Sequence, residues 1–537
     1  LQKGGIPMGF LSNRKSGKDK KEKEMGKLIN SKNVDENKRR LKERLKDCDD
    51  IVYKEFRVGE QQDLKFLLVY ADGMSSSDML NDAVLNALMV HAREVPPEAK
   101  EPGEELYKLV RYGGLPASEL ADKDNLEDAV LAILIGDAVL FIDTTEKCIV
   151  IGAKGWPMRG VSEPNTEALI RGPRDGFTET FRVNTALVRR RIRDSRLKLK
   201  QLRVGKRSFT DIGVMYIEDI VSPELLEEVF RRIDTIDIDA IIESGYIEQL
   251  IEDDYMSPFP QISVTERPDE VAASLYEGRV AILVDNSPFA LIVPTTLNSL
   301  FQSPEDYYDR WYVASILRFI RYMASILSMV LPAAYIAVTS FHPGILPAKL
   351  VISMAAARQG IPFPVLIEAF IMEVTFELLR EAGLRLPVPI GSAIGIVGGI
   401  VIGSAAVEAG IVSPIMVIIV AITAISSFSI PNYSLAVGFR MLRFLLMIFA
   451  GTMGLYGIML GVLLILSHLV KLKSFGIPYM SPYVSFVGSD FKDTIVRVPT
   501  FLMAKRPVLL ARDKIRLKNN RNLINRLEQE EGSDDKK

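Results

Sequence analysis

The chain has 537 residues, enough for two or three soluble units plus a membrane bundle. Its 66 basic and 68 acidic residues nearly cancel to a formal charge of −2, so the overall balance specifies no polyanionic or polycationic partner. A mean hydropathy of +0.15 alongside 25% charged residues excludes a uniformly soluble protein, because the charge sits in the front half and the tail. Two cysteines, Cys48 and Cys148, exclude a disulfide framework and point to a reducing compartment. Three histidines, His91, His342 and His468, lie too far apart for metal-ligand spacing.

Residues 1–50 read as a charged, disordered arm, with Lys-rich runs such as Lys18–Glu24 and almost no aromatic residues. The chain begins with Leu, and its start lacks the basic-then-apolar pattern of a secretory leader. The front half is therefore expected on the cytoplasmic side of the first span. Over 51–203 strands alternate with helices in a first soluble α/β subdomain. Lys65–Tyr70 is a short apolar run turned by Asp72 and Gly73, and Ser75–Ser77 offer caps for a helix through Val90. Val139–Ile142 and Cys148–Gly152 read as a hairpin, followed by a basic helix from Thr178 to about Leu197. A second α/β subdomain, 204–310, contains strands Ile212–Ile217, Gln261–Val264, Val280–Val284 and Phe289–Val293. Its helical segments are Pro223–Ile233, Tyr246–Ile251 and Pro268–Tyr276.

The apolar block 311–470 sets the class. Spanning the hydrocarbon takes about 20 mostly apolar residues in a helix. Tyr322–Ser340, Ile390–Val407, Ile411–Ile430 and Phe444–Leu466 meet or approach that length, and Ile361–Leu379 is a further candidate that re-enters or lies in the interface. Arg310, Arg318 and Arg321 place the start of the first span inside, and the basic tail 471–537 places the end there too. The expected fold is thus two cytoplasmic α/β subdomains followed by an all-α polytopic transmembrane bundle of four to five helices.

Within Ile361–Glu381, Glu373, Glu377 and Glu381 repeat every four residues on one helix face, with Glu368 on a neighbouring face. Charges at bilayer depth cost about 2.5 kcal/mol or more each, so they face water, protein or each other. In a ring-shaped oligomer such helices stack acidic rings that select cations, which makes Glu368, Glu373 and Glu377 candidates for a cation pathway. Two other readings stay open: an amphipathic helix in the interface, and ion pairs between subunits. Arg380 and Arg385 are placed to neutralise Glu377 and Glu381, which favours Glu368 and Glu373. Gly391, Gly395, Gly399 and Gly403 form a small-residue stripe suited to close helix packing, with an Ile/Val-rich opposite face suited to a gate. The basic run from Arg189 to Arg203 lacks aromatic interleaving or a helix-turn-helix signature. It reads as a solvated or intersubunit face pairing with Glu243–Asp254, and not as a nucleic-acid site. No phosphate loop, nucleophile elbow, Cys-x-x-Cys or His-Glu-x-x-His pattern occurs, so neither an enzyme, a cofactor nor a metal is expected.

Three stretches carry a family resemblance. The first runs from Glu163-Pro164-Asn165-Thr166-Glu167 through Arg171–Phe177 to Asn184–Arg191. The second is Pro258-Phe259-Pro260 with Glu266-Arg267-Pro268-Asp269 and Glu277–Asp285. The third is Pro362-Phe363-Pro364 through Phe376–Pro387 to Glu408–Pro414. Together they resemble the A subunit of the GerA-type spore germinant receptors. The resemblance implies a multi-pass protein of the spore inner membrane, partnered by a permease-like B subunit that senses nutrient and by a lipid-anchored C subunit. It also implies a homo-oligomer acting as a nutrient-gated channel for monovalent cations. A sister branch belongs to the dipicolinic-acid release system, and Glu381–Pro387 with Ala421–Phe428 looks more like the receptor branch. A non-conducting receptor scaffold is the main rival reading. A secondary transporter is a weaker one, because no inverted repeat is visible.

Overall fold

The structure, a computed structural model, describes residues 29–58, 64–76, 79–80, 104, 107–108, 110–111, 120–155, 163–164, 167, 169–385, 403–485, 488 and 490–516. The chain forms two compact units. One comprises Leu1–Ala168, Pro173–Leu250 and Val264–Ile292, and the other Leu169–Gly172, Ile251–Ser263 and Val293–Lys537. Apart from Met79 and Leu80, the expected helix through Val90 lies outside the described residues beyond Ser76, as do 1–28 of the arm and 517–537 of the tail.

The first unit opens with helix α1 (Val34–Arg44), which corrects the reading of 1–50 as an arm throughout. Asn33 caps α1 by accepting the Asp35 and Glu36 N–H groups, and Val34, Leu41 and Leu45 bury one apolar stripe. Strands β1 (Ile51–Val58) and β2 (Leu64–Ala71) form a hairpin in register Ile51 to Ala71. Then come β3 (Leu120–Lys123), α2 (Leu126–Ile135), β4 (Ala138–Ile142) and β5 (Cys148–Ile151), giving a sheet of order β1-β2-β4-β5-β3. Alternation in β2 sends Leu67 and Val69 to one core and Phe66 and Leu68 to the other, so this sheet is covered on both faces.

The same plan then repeats. Helix α3 (Phe181–Arg191) precedes β6 (Leu197–Val204), β7 (Thr210–Ile217), α4 (Pro223–Asp234) and α5 (Ser244–Ile251). After these come β8 (Ser263–Thr265), α6 (Pro268–Tyr276), β9 (Val280–Val284) and β10 (Ala290–Val293). The second sheet runs β6-β7-β9-β10-β8, the first order shifted by five strands. Local chemistry repeats with it. Asp143, just after β4, accepts the N–H of Val34, the first residue of α1. Asp285, just after β9, does the same for Phe181, the first residue of α3. The next residue has positive φ in both copies, Thr144 at 71° and Asn286 at 65°. Buried Asn37 bonds both backbone groups of Ser31, and buried Asn184 those of Thr178.

The two copies are joined by a ladder of Leu199 with Asp47 and Asp49 and by a buried ion pair of Arg189 with Asp50. Within the chain, six residues of the basic run pair with acids other than Glu243–Asp254, Arg189 among them. Arg191 pairs with Asp175, Arg196 with Asp194 and Asp219, Lys198 with Glu218, Lys200 with Asp47, and Arg203 with Asp211. The expected helix to Leu197 also ends earlier, at Arg191, because Leu197–Val204 alternates and pairs along its whole length with β7.

The second unit is built on helices α7 (Trp311–Ser340), α8 (Ala348–Ala357), α9 (Val365–Arg385), α10 (Pro414–Phe428) and α11 (Tyr433–Lys471). Among the described residues, α7 and α11 are long and apolar enough to cross a membrane. The 39 residues of α11 are not one straight rod. The helix breaks at Gly454, with φ 63° and ψ −139°, a backbone region open to glycine alone. In a straight helix Phe439 and His468 stand about 43 Å apart. Here the Phe259 ring packs on both, with centroids 5.8 and 6.1 Å away. A Cβ placed on Gly461 lands 2.5 Å from Leu446 Cδ2. The halves 433–453 and 455–471 are therefore antiparallel, a helical hairpin with its tip at Gly454.

Pro258-Phe259-Pro260 closes the open end of this hairpin. Phe259 is buried against Phe439, His468 and Tyr479, and Ser257 bonds His468 at 2.9 Å. At the same end, Arg318 of α7 is buried between Asp306 at 2.8 Å and Asp493 at 2.7 Å, and Arg321 also reaches Asp306. Arg318 thus anchors 490–497 of the tail to α7 through an internal pair.

Candidate functional site: a charged seam among the helices

Helix α9 brings its carboxylates into the helical core. Pro362 and Pro364 flank half-exposed Phe363 just before the helix, and the Pro364 carbonyl accepts the Glu368 N–H at 3.0 Å, starting the first turn. Ala369 and Met372 are buried in the apolar core, and the acids beside them are drawn in. Glu368 and Glu373 are both 1% exposed or less, whereas Glu377 is 38% exposed at its side chain and Glu381 is exposed.

Each buried acid has a different partner. Glu368 Oε1 accepts both the N–H and the hydroxyl of Ser413, the N-cap of α10, so this carboxylate sits at the positive end of a helix. Its Oε2 faces Arg358 at 3.7 Å. Glu373 pairs with Arg443 of α11 at 3.0 Å, both side chains being 2% exposed or less. Glu377 meets Arg440 at 3.3 Å, Arg380 at 3.7 Å and Arg443 at 4.0 Å. Arg380 also donates to Ser427 at 3.0 Å and lies over the Phe428 ring at 4.8 Å. Three carboxylates and four guanidiniums thus share one seam between α9, α10 and α11, where each carboxylate faces at least one guanidinium.

These contacts fix directions. Leu366 packs on Gly451, Glu373 on Arg443 and Glu377 on Arg440, so α9 runs antiparallel to the first half of α11. Glu368 meets Ser413 and Arg380 meets Ser427, so α9 and α10 run parallel. The start of α10 therefore lies at the end of the bundle where α9 begins.

The structure brings Glu368, Glu373 and Glu377 into one seam and pairs Arg380 with Glu377, as the sequence suggests, but Arg358, Ser413, Arg440 and Arg443 are partners that the sequence reading did not name. Arg440 and Arg443 were legible in principle, since two arginines three apart in an apolar helix match acids four apart on a neighbour. Of the glycine stripe, Gly391, Gly395 and Gly399 lie outside the described residues, and so do the side chain of Arg385 and the stretch 386–402. Gly403 is described, and a Cβ placed there lands 3.4 Å from Val417 of α10, an ordinary close contact. The second motif also divides. Glu266, Arg267, Pro268 and Asp269 are buried at the β8–α6 corner of the first unit. There Arg267 donates to the carbonyls of Glu167 at 3.1 Å and Pro173 at 2.7 Å and pairs with Asp269.

Comparison with known proteins decides the family. The profile described as Bacillus/Clostridium GerA spore germination protein matches residues 39–509. The chain belongs to the GerA family. It is 42% identical over 468 residues to Spore germination protein KA of Bacillus subtilis (strain 168), covering 87% of this chain and 85% of that one. It is 47% identical to Spore germination protein GerLA of Bacillus cereus, over 73% of this chain and 80% of its relative. It is also 45% identical to the Uncharacterized membrane protein YfkQ of Bacillus subtilis (strain 168), over 89% of this chain and 91% of that one. Read with the two membrane-competent helices, this GerA-family chain is a membrane protein associated with spore germination.

Proposed function

We propose that this GerA-family protein is the A subunit of a spore germinant receptor, and that its helical unit forms a cation path in an oligomer of the spore inner membrane. The observation that carries the reading is the seam. Glu368 and Glu373 are buried among apolar helices, a costly placement for a purely packing helix. Their guanidinium and helix-end partners hold them neutralised in the conformation seen. Opening exchanges those partners for water and monovalent cations. A permease-like B subunit binds nutrient, a lipid-anchored C subunit completes the complex, and nutrient shifts the equilibrium only by its differential affinity for the two states.

Among the described residues, the membrane reading is supported by α7 and by α11, which folds back on itself at Gly454. The start of α7 and the end of α11 share one face, because Tyr322 of α7 and Phe439 of α11 pack on Phe301 while Phe439 and His468 flank Phe259. The test is reconstitution of A with B and C subunits in liposomes loaded with a potassium indicator. Nutrient-dependent cation flux supports the reading, and a watertight complex that still binds nutrient ends it.

The pairing of every seam carboxylate with a guanidinium favours a second reading, a non-conducting scaffold in which the seam only clamps helices together. In that case flux is absent, and charge-neutral replacements that keep the helices together leave signalling intact.

A further inference from the structure

In the first unit, two carboxyls meet at one hydroxyl. Thr265, the last residue of β8, is buried, and its Oγ1 lies 2.7 Å from Glu167 Oε2 and 3.2 Å from Glu270 Oε2. The same Oγ1 accepts the Arg267 N–H at 3.1 Å. A hydroxyl has one proton to give. The shorter contact takes it: Glu167 Oε2 accepts from Thr265 and also from the Glu266 N–H at 3.0 Å, the environment of an ionised carboxylate. The approach of Glu270 to the same hydroxyl then requires a proton on Glu270. Without it, lone pairs face each other and two negative charges crowd one threonine.

We propose that Glu167 and Glu270 hold one proton between them, and that this proton latches the chain around Glu167 onto the β8–α6 corner, so that the latch loosens as pH rises.

The internal duplication provides the comparison that isolates this feature. In the first copy, the last residue of β3 is Lys123 and the third residue of α2 is Asp128, an ion pair at 4.0 Å. In the second copy the same two places hold Thr265 and Glu270. A cation has been replaced by a hydroxyl, and a second acid, Glu167, has been added. The Arg267 cation favours the charged form of both acids but does not outweigh burial and their mutual repulsion. Arg267 pairs with Asp269 at 3.1 Å and directs its remaining bonds to the carbonyls of Glu167 and Pro173, while Glu266 adds a further acid. Burial, and next the neighbouring Glu167 charge, raise the Glu270 carboxyl to about 8. Burial raises Glu167 as well.

The sign follows from linkage. The folded corner keeps a proton that the unfolded chain releases above about pH 4.5, so stability is lost as pH climbs from there through the folded value and stays low above it. Arg267 fastens both Glu167 and Pro173, so the latch controls the ends of the stretch between them.

Hydrogen–deuterium exchange on the full chain in detergent micelles, corrected for intrinsic rates, tests this at the Phe177 and Glu266 amides, which close the corner. Wild-type protection is expected to fall between about pH 4.5 and about pH 8, approaching tenfold per pH unit inside that window, and to level off above it. Glu270→Gln, which cannot ionise, flattens the profile. Thr265→Lys recreates the first-copy pair and flattens it too. Glu167→Gln removes the neighbouring charge and moves the midpoint to lower pH. A wild-type profile without this fall, or a Glu270→Gln profile parallel to wild type, overturns the latch. Should Glu270→Gln not fold, an unmoved midpoint in Glu167→Gln overturns it equally.

Discussion

Glu373 of α9 and Arg443 of α11 form an ion pair of 3.0 Å, removed from solvent on both sides, with the whole of α10 between them in sequence. Breaking such a pair from one side leaves an uncompensated charge, at a cost of about 3–5 kcal/mol, whereas replacing both partners by apolar residues is often neutral. Glu373→Gln is therefore expected to lower the thermal midpoint of the purified chain strongly, and Glu373→Met with Arg443→Met to recover most of the loss. A double variant as unstable as the single one means that the pair is not an isolated clamp. If the seam is also the ion path, the double variant folds yet fails to support nutrient-driven flux.

Gly454 forms the tip of the α11 hairpin in a backbone conformation closed to other residues, and a Cβ there lands 2.8 Å from the His342 ring. Gly454→Ala combines backbone strain of about 1–3 kcal/mol with that clash. Detergent-solubilised Gly454→Ala should show a lower melting temperature and reduced yield. Trimming the neighbour with His342→Ala relieves the ring contact but leaves the strain and the Phe341 Cβ at 3.0 Å, so Gly454→Ala/His342→Ala remains destabilised. Full rescue by the histidine change means that the strain is negligible.

The alternation of short apolar runs and capped helices made both sheets legible, and the strand Val280–Val284 and the helix Pro268–Tyr276 match the structure residue for residue. The strand order and the duplication were not legible, because they rest on caps such as Asp143 and Asp285 whose targets lie about a hundred residues upstream. The acids of α9 were visible because their four-residue spacing is local. Arg380 shares their helix and was visible with them, but Arg440 and Arg443 belong to α11, and local patterns do not report which helix faces which. The hairpin was hidden for a different reason. A single glycine in an apolar stretch rich in glycines gives no sign that its φ is positive, and only the 39-residue length, about twice a bilayer, hints at it.

The duplication makes a paired prediction. Asp143 and Asp285 accept the first N–H of α1 and of α3 in equivalent geometry, at 3.2 and 3.1 Å. Loss of a helix-capping acceptor typically costs about 1 kcal/mol. Asp143→Ala and Asp285→Ala should therefore lower stability by similar amounts, and the double variant by their sum, because the two sites share no partner. Denaturant melts of the three variants check this. A large effect at one aspartate and none at the other means that the copies do not use this contact alike.

Glu368 separates the cation path from the scaffold most cleanly, because its partners tolerate a neutral acceptor. Ser413 offers its N–H and its hydroxyl to Glu368 Oε1, and a glutamine oxygen accepts both. Glu368→Gln should then cost little stability, losing mainly the attraction of Arg358 at 3.7 Å. Ser413→Ala removes a cap of α10 and one donor to the carboxylate together, and is expected to cost about 1–2 kcal/mol. This ordering can be read from melting temperatures. In reconstituted receptor, a carboxylate on the ion path makes Glu368→Gln change cation selectivity or rate while its melting temperature barely moves. If flux and selectivity stay at wild-type values in a well-folded Glu368→Gln receptor, Glu368 is off the path and its burial serves only the α9–α10 junction.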